Sequence, residues 1–403
     1  MDSAEREGLR PKGNVPNLRF PEFQGEWDKC ELGEFATIIG GYAFKSETLN
    51  SIGGKYQVVK MGNLYQNQLD LHRSPSYTDT LTRKAENVIL RKDDIAITLT
   101  GTNNKRDFGY TYIFNDEKNL LLNQRCGLIR AKGNPYFLSC LLKTHTFLNQ
   151  FFESATGGTG NQANVSTKAM EMFSVNTPSL KEQEKIGQLM ALLDERIATQ
   201  NKIIDKLQSL IKGIVDCTIL RKEKNAIVGD VCSISEQIRA EANIDDIITV
   251  RLHGNGVCKS SAENLQLGAT QYYRRRAGQL IYGKQNFHNG AIGIVPISLD
   301  NGITSKDIPS FDIDEMKCNS VYLLAQLQSP QYYKPAEALT TGTGSKRLKE
   351  ETFLKMPIVL PNKKEQDNIA VLIHRASMNL DHAKRLLELL SIQKQFLLRQ
   401  MFI

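Results

Sequence analysis

The chain has 403 residues, 40% of them hydrophobic and 24% charged, with a formal net charge of +7. That length holds two ordinary domains plus connecting helices; no apolar run is long enough to cross a bilayer, and the polar N-terminus does not read as a signal peptide. The cationic excess is modest and by itself names no partner.

The first 16 residues are polar and lack periodicity, so they are expected to be a disordered lead-in. A first domain is expected over 17–180. It opens on Asn17-Leu18-Arg19-Phe20-Pro21-Glu22-Phe23 and Trp27. Residues 95–99 alternate with period two and predict a strand. A polar loop follows over 101–109, and the chain returns as a strand over 110–114, which makes a hairpin with a long tip. Residues 135–152 read as one helix, and 157–160 as a glycine-rich flexible loop. Pro178 ends the domain, and a spacer helix is expected over 181–222.

A second domain, 223–360, repeats the pattern. Strands are expected over 279–282 and 291–295, around a tip at 283–290. The stretch Lys60-Met61-Gly62-Asn63 matches Arg251-Leu252-His253-Gly254-Asn255. From Gly62 to Gly101 is 39 residues, and from Gly254 to Gly283 only 29. A second spacer helix is expected over 361–403. Its start repeats the first: Pro178-Ser179-Leu180-Lys181-Glu182-Gln183 returns as Pro361-Asn362-Lys363-Lys364-Glu365-Gln366, 183 residues on, and the register persists without a gap.

Along the first helix, apolar residues fall at Ile186, Met190, Leu193, Ile197, Ile204, Leu207 and Ile211; along the second, at Ile369, Ile373, Leu380, Leu387, Leu390 and Leu397. Steps of three and four are the heptad period. These stripes are expected to pair the two helices antiparallel. Gln200 and Lys394 interrupt them; Lys394 stands where the first helix has Ile211, which predicts looser packing near the C-terminal end. A helix of about 35 residues is roughly 50 Å long.

Catalytic motifs are missing. No glycine loop follows a strand with the spacing of a nucleotide or S-adenosylmethionine site. Gly342-Thr343-Gly344-Ser345-Lys346 lacks the spacing of a phosphate loop. The six histidines are dispersed, and Glu315-Met316-Lys317 is too short a match to imply a metal. The seven cysteines (30, 126, 140, 217, 232, 258, 318) form no C-x-x-C pair, so a zinc site or disulfide framework is not expected and a reduced, cytoplasmic setting fits.

Binding chemistry is better represented. One tip carries Thr102, Asn103, Asn104, Lys105 and Arg106; the other carries Lys284, Gln285, Asn286, His288 and Asn289. Arg and Lys suit the guanine O6/N7 edge, and Asn and Gln suit adenine N6/N7. Lys60, Asn63, Arg251 and Asn255 are candidates from the matched turns. Gly158, Thr159 and Gly160, and Thr343, Gly344, Lys346 and Arg347, are candidates for phosphate contacts. Arg274-Arg275-Arg276 reads either as phosphate-facing or as solvated surface.

The ordered, duplicated set resembles the specificity subunits of type I restriction–modification systems over nearly the whole chain. It comprises 17–23 with Trp27 and Leu32-Gly33-Glu34, then 157–166, Pro178, Glu182-Gln183, Ile186 and Leu193-Asp194, with the repeat at 342–344, Pro361, Glu365-Gln366 and Ile369. The resemblance implies an α+β fold: two β-rich target-recognition domains separated by two long antiparallel coiled-coil helices, with pseudo-two-fold repetition. It implies reading of a bipartite, asymmetric site in double-stranded DNA, and no catalysis or cofactor in this chain. Two methyltransferase subunits using S-adenosylmethionine, and restriction subunits using ATP and Mg, are the implied partners, with no membrane involved. No base-contacting residue transfers from the family; the candidates above rest on loop chemistry. On residues alone, two other readings remain open: a free-standing DNA methyltransferase or nuclease with degenerate motifs, and a coiled-coil scaffold that does not bind DNA.

Overall fold

The computed structural model describes residues 13–116, 119–157, 162–260, 270–342 and 346–403. Of the lead-in expected over 1–16, all but 13–16 lie outside the described residues. The chain divides into two compact units. One comprises residues up to Thr199 together with Leu387–Ile403; the other is Gln200–Leu386. Each long helix therefore begins in one unit and ends in the other.

In the first unit, four antiparallel strands form the central sheet, in the order Ala36–Gly40, Cys126–Ala131, Ile95–Thr98, Thr111–Ile113. The expected hairpin is present. Its first strand does not alternate in burial, however: Ile95, Ala96, Ile97 and Thr98 are all buried, because apolar clusters cover both faces. A second sheet pairs Tyr56–Val59 parallel with Leu120–Leu122 and antiparallel with Tyr77–Thr78. The strand Asp28–Glu31 pairs with Ser174–Thr177, so the domain's first and last strands close on each other.

The expected helix over 135–152 is two helices, Pro135–Leu141 and His145–Glu153. The break lies at Thr144. Its hydroxyl donates to the Leu141 carbonyl and accepts the Phe147 N–H, so it closes one helix and caps the next. The run of apolar residues on both sides hides this boundary in the sequence.

The second unit repeats the central sheet in the same order: Cys232–Ile234, Ser310–Ile313, Leu280–Tyr282, Ile292–Ile294, all antiparallel. The closing pair recurs as Ala226–Ile227 with Pro357–Ile358. The flanking sheet does not repeat. Here Arg239–Ala240, Tyr272–Arg274 and Ile303–Ser305 run antiparallel throughout. One candidate surface residue is part of this core: Arg275 is fully buried. Its guanidinium donates to Thr304 Oγ1, Ser310 Oγ, Gln237 Oε1 and the Ile308 carbonyl, and burial pushes its pKa down to about 10. Arg275 is thus neither phosphate-facing nor solvated; Arg276 lies 3.6 Å from Asp312.

The first long helix is Leu180–Val215, prolonged by a π-helical turn, Asp216–Leu220. The second is Lys363–Gln400. Both start with the same joint. Gln183 accepts the Asn134 N–H and donates to the Pro178 carbonyl; Gln366 accepts the Asn319 N–H and donates to the Pro361 and Lys317 carbonyls. Asn134 and Asn319 in turn cap the helices Pro135–Leu141 and Ser320–Leu327. One buried amide thus ties each long helix to its own domain.

Within the first unit, Ile186 and Met190 share a core with Leu397, Met401 and Phe402, and Lys394 is paired with Asp194. Within the second, Gln200 donates to the Ala383 carbonyl, and Lys222 is paired with Glu365. In each unit the helix segments run antiparallel. Of the seam residues, Ile186, Met190, Leu193, Ile204, Ile369, Ile373 and Leu390 are buried; Ile197, Leu207, Ile211, Leu380, Leu387 and Leu397 are half-buried. Lys394 does not loosen the seam as expected: Asp194 supplies the counter-charge that keeps it partly buried. Gln200 faces Ala383, its own counterpart 183 residues on.

Candidate nucleic-acid interface

In the first unit, three separate segments meet at one end of the central sheet. The start of the loop expected over 101–109 instead belongs to a short strand, Thr100–Thr102, paired with Gln162–Asn164. That pairing sets the hairpin tip beside the glycine-rich segment. The third segment is the turn after Tyr56–Val59: Asn67 Oδ1 accepts the Thr111 N–H, and the Tyr65 and Tyr110 rings meet edge to face at 5.4 Å. Burial holds the Tyr110 hydroxyl above its ordinary pKa.

The second unit assembles the same three parts with different bonds. His253 N–H donates to the Asn289 carbonyl at 2.7 Å, and Gly254 N–H to the Gly290 carbonyl at 2.9 Å, which joins the turn to the tip. Leu348 N–H donates to the Lys284 carbonyl, which joins the tip to the segment after the glycine loop. Both tips end on a left-handed glycine, Gly109 (φ +79°) and Gly290 (φ +76°). A Cβ on Gly290 would stand 2.9 Å from the Tyr333 ring; one on Gly109 would stand 3.0 Å from Phe151. Only glycine fits either turn without strain.

The candidate residues differ in exposure and in their partners. Thr102 is half-buried, whereas Asn104, Lys105, Arg106, Gln285, Asn286 and Lys346 are exposed on these clusters. The Arg106 guanidinium lies 5.1 Å from the Phe152 ring, which holds its long side chain over an aromatic face. Lys60, His288 and Asn289 are half-buried; Asn289 donates to Asn286, and the buried Nδ1 of His288 has no hydrogen-bond partner among the described residues.

Others are engaged internally. Asn63 is 3% exposed, accepts the Lys60 N–H and donates to the Asp70 and Arg73 carbonyls. It closes its turn and does not face outward, a correction to its candidacy. Arg251 Nε lies 3.0 Å from Cys258 Sγ, and Asn255 donates to the Leu252 carbonyl. Lys284 pairs with Glu350 at 2.7 Å, and Arg347 with Asp307 at 3.0 Å. Gly158, Thr159, Gly160, Thr343 and Gly344 lie outside the described residues, as does the side chain of Asn103.

Lys306 and Lys349 also belong to the second cluster, beside Lys284 and Arg347. Sequence reading passed over them because each sits in its own turn, and only the fold brings the turns together. Glu315-Met316-Lys317 has a plain explanation: the Asp314 carboxylate accepts the Met316 N–H and pairs with Lys317 at 3.1 Å, which holds it below the usual carboxylate range. Among the described residues, no three His, Cys, Asp or Glu side chains gather to hold a metal ion, and no helix is long and apolar enough to cross a membrane.

A duplicated β-rich domain, each copy bearing a polar loop cluster and leading into a long helix, is the architecture at hand. Residues 24–209 match the family described as type I restriction modification DNA specificity domain. The chain is 27% identical over 180 residues to the type I restriction enzyme EcoAI specificity subunit of Escherichia coli, covering 44% of this chain but only 29% of that protein. It is 21% identical over 385 residues to the type I restriction enzyme MjaVIII specificity subunit of Methanocaldococcus jannaschii, covering 88% and 86%. The fold is similar to the crystal structure of the S subunit of a type I restriction–modification system from M. genitalium, with a TM-score of 0.65 at 13% identity, over 96% of this chain and 99% of that one. The chain is thus similar to the specificity subunits of type I restriction–modification systems, and its residues 24–209 match their DNA specificity domain.

Proposed function

We propose that this chain reads a bipartite, asymmetric site in double-stranded DNA for a type I restriction–modification complex, each domain reading one half. The observation that carries this reading is the convergence of turn, hairpin tip and glycine-rich segment at one end of the central sheet, in both domains, by different hydrogen bonds. The sheet and its closing strands are kept, while the residues at the end are exchanged. Lys105 and Arg106 on the first cluster suit guanine; Gln285 and Asn286 on the second suit adenine.

The chain carries no chemistry of its own in this reading. Methyl transfer from S-adenosylmethionine, and ATP- and Mg-dependent cleavage, belong to methyltransferase and restriction subunits in the cytoplasm. The long helices offer a face for such partners. Away from the seam, Leu192 and Leu210 on the first helix, and Leu389, Ile392 and Phe396 on the second, are each more than half exposed. Steps of three and four place the last three on one face, and apolar area of that kind marks an interaction site.

The test is methylome sequencing of a host expressing this chain with a methyltransferase partner. A two-part motif that disappears when the chain is deleted is the expected result. Methyl transfer by the purified chain alone, or no DNA binding by the chain and its partners together, would overturn the reading.

A further inference from the structure

The second cluster contains a cleft of about 640 Å³ lined by Lys284, Lys306, Thr341, Gly342, Arg347, Lys349 and Glu350. Three distant segments build it. Lys284 N–H donates to the Asp307 carbonyl, and the Lys284 carbonyl accepts the Leu348 N–H. Thr341 and Arg347 exchange backbone hydrogen bonds of 3.1 and 2.9 Å, which close the glycine segment on itself. The hairpin tip is thus the middle rung between the turn bearing Lys306 and the segment bearing Arg347 and Lys349.

Charge in this cleft is one-sided. Four cations line it against one carboxylate, Glu350, which Lys284 neutralises at 2.7 Å. Arg347 is oriented from behind by Asp307 at 3.0 Å. Lys306 and Lys349 are exposed, and no ion pair of theirs is found among the described residues. Cations held at a concave, partly walled surface attract an anion more strongly than the same charges spread on a convex one. The two carboxylates fix Lys284 and Arg347 in place, and Lys306 and Lys349 supply the uncompensated charge.

We infer that this cleft seats a phosphodiester of the DNA backbone beside the second half-site. The inference rests on the DNA-reading function proposed above. It makes Lys306 and Lys349 positioning residues that fix the second domain's register on the duplex without reading a base. The shared chemistry is a phosphate group, which DNA or a free nucleoside triphosphate can supply; the position beside the tip residues Gln285 and Asn286 favours DNA.

The test uses the full chain and a duplex DNA, with affinity measured by anisotropy across a series of salt concentrations. Each phosphate contact contributes roughly 0.9 to the slope of log K against log salt. The Lys306→Ala/Lys349→Ala double variant is expected to flatten the slope by about one unit, with the methylated motif unchanged in sequence. Glu350→Gln removes the one carboxylate among the described lining residues and is expected to act in the opposite direction, tightening binding, a sign that structural damage would not produce. Wild-type binding that is steeply salt-dependent, with both variants indistinguishable from it, would overturn this inference and leave the proposed function standing. No DNA binding by the wild type, either alone or together with a methyltransferase partner, would overturn both. Binding of ATP by the wild type that the double variant loses, with the DNA slope unmoved, would assign the cleft to a free nucleotide and overturn the backbone assignment.

Discussion

The Glu-Gln pair that opens each long helix has the same sequence twice and two different environments. Gln183 and Gln366 do the same work, each tying a helix cap to the proline carbonyl at the start of its long helix. The glutamates do not. Glu182 is 1% exposed, takes two hydrogen bonds from Arg19 at 2.7 and 2.8 Å, and faces the Trp27 indole N–H at 3.4 Å. Glu365 pairs with Lys222 where both side chains are about two-fifths exposed. The cause is what covers each one. In the first unit the segment 18–27 lies over the joint: Leu18 N–H donates to the Gln400 carbonyl, and Trp27 packs on Phe137 and Phe402. The duplication preserved the amide that closes the joint, and left the neighbouring charge to whatever surface happened to cover it.

The largest expected effect separates the two glutamates. Arg19→Ala strands the buried Glu182 carboxylate and should cost about 3–5 kcal/mol. Lys222→Ala should cost about 0–1 kcal/mol, because its pair is solvated. Denaturant unfolding with thiol labelling reads the two units separately. Burial pushes the thiols of Cys126 and Cys140 up to about 12 and 11, and those of Cys232 and Cys318 up to about 12, so all four stay unreactive near neutral pH until their unit opens. Arg19→Ala should advance labelling of Cys126 and Cys140 and leave Cys232 and Cys318 unchanged. Equal losses from both substitutions would mean that burial does not distinguish the joints.

A second prediction requires symmetry where the first requires difference. Gln183→Ala and Gln366→Ala each leave a half-buried cap N–H and a proline carbonyl without their partner, and each should cost about 1–3 kcal/mol. A cost confined to one unit would break the account of a shared joint.

The tips sharpen the comparison at the level of DNA. Arg106→Ala should cost about 1–3 kcal/mol and relax one position of one half-site, if its guanidinium reads guanine. Gln285→Ala should relax a position of the other half-site. The methylated motif is the readout, and a loss spread evenly over both halves would reassign these residues to phosphate contacts.

A smaller effect than those of the joints' buried groups belongs to the seam. Gln200→Leu removes the hydrogen bond to the Ala383 carbonyl, an acceptor inside a helix, and should cost about 0.5–1.5 kcal/mol. Thermal unfolding measures it. A gain in stability would mean that Gln200 fixes the pairing register at a net energetic cost, as a polar residue at a seam position does elsewhere.

Sequence periodicity was enough for the frame. The heptad stripes, the repeated Pro-x-x-x-Glu-Gln start and the two hairpins all rest on local regularities, because side-chain period and turn chemistry are properties of neighbouring residues. It failed where a boundary or a role depends on distant groups. Thr144 splits a helix inside an apolar run, and nothing in that run announces it. Asn63 looks like an outward amide, yet the carbonyls of Asp70 and Arg73 claim it. Arg275 looks like one of three surface cations, yet Thr304, Ser310 and Ile308 surround it.

What the sequence determined by itself is the duplication, the two long helices and the residue types on each loop, since these are written in order along the chain. What only the tertiary structure decided is which of those residues face outward together. Lys284, Lys306 and Lys349 are spread over 66 positions and meet in one cleft. Arg19 meets Glu182 across 163. Charge and burial act through space. A group's partner, and therefore its energy and its role, is fixed only when the backbone has closed the distance.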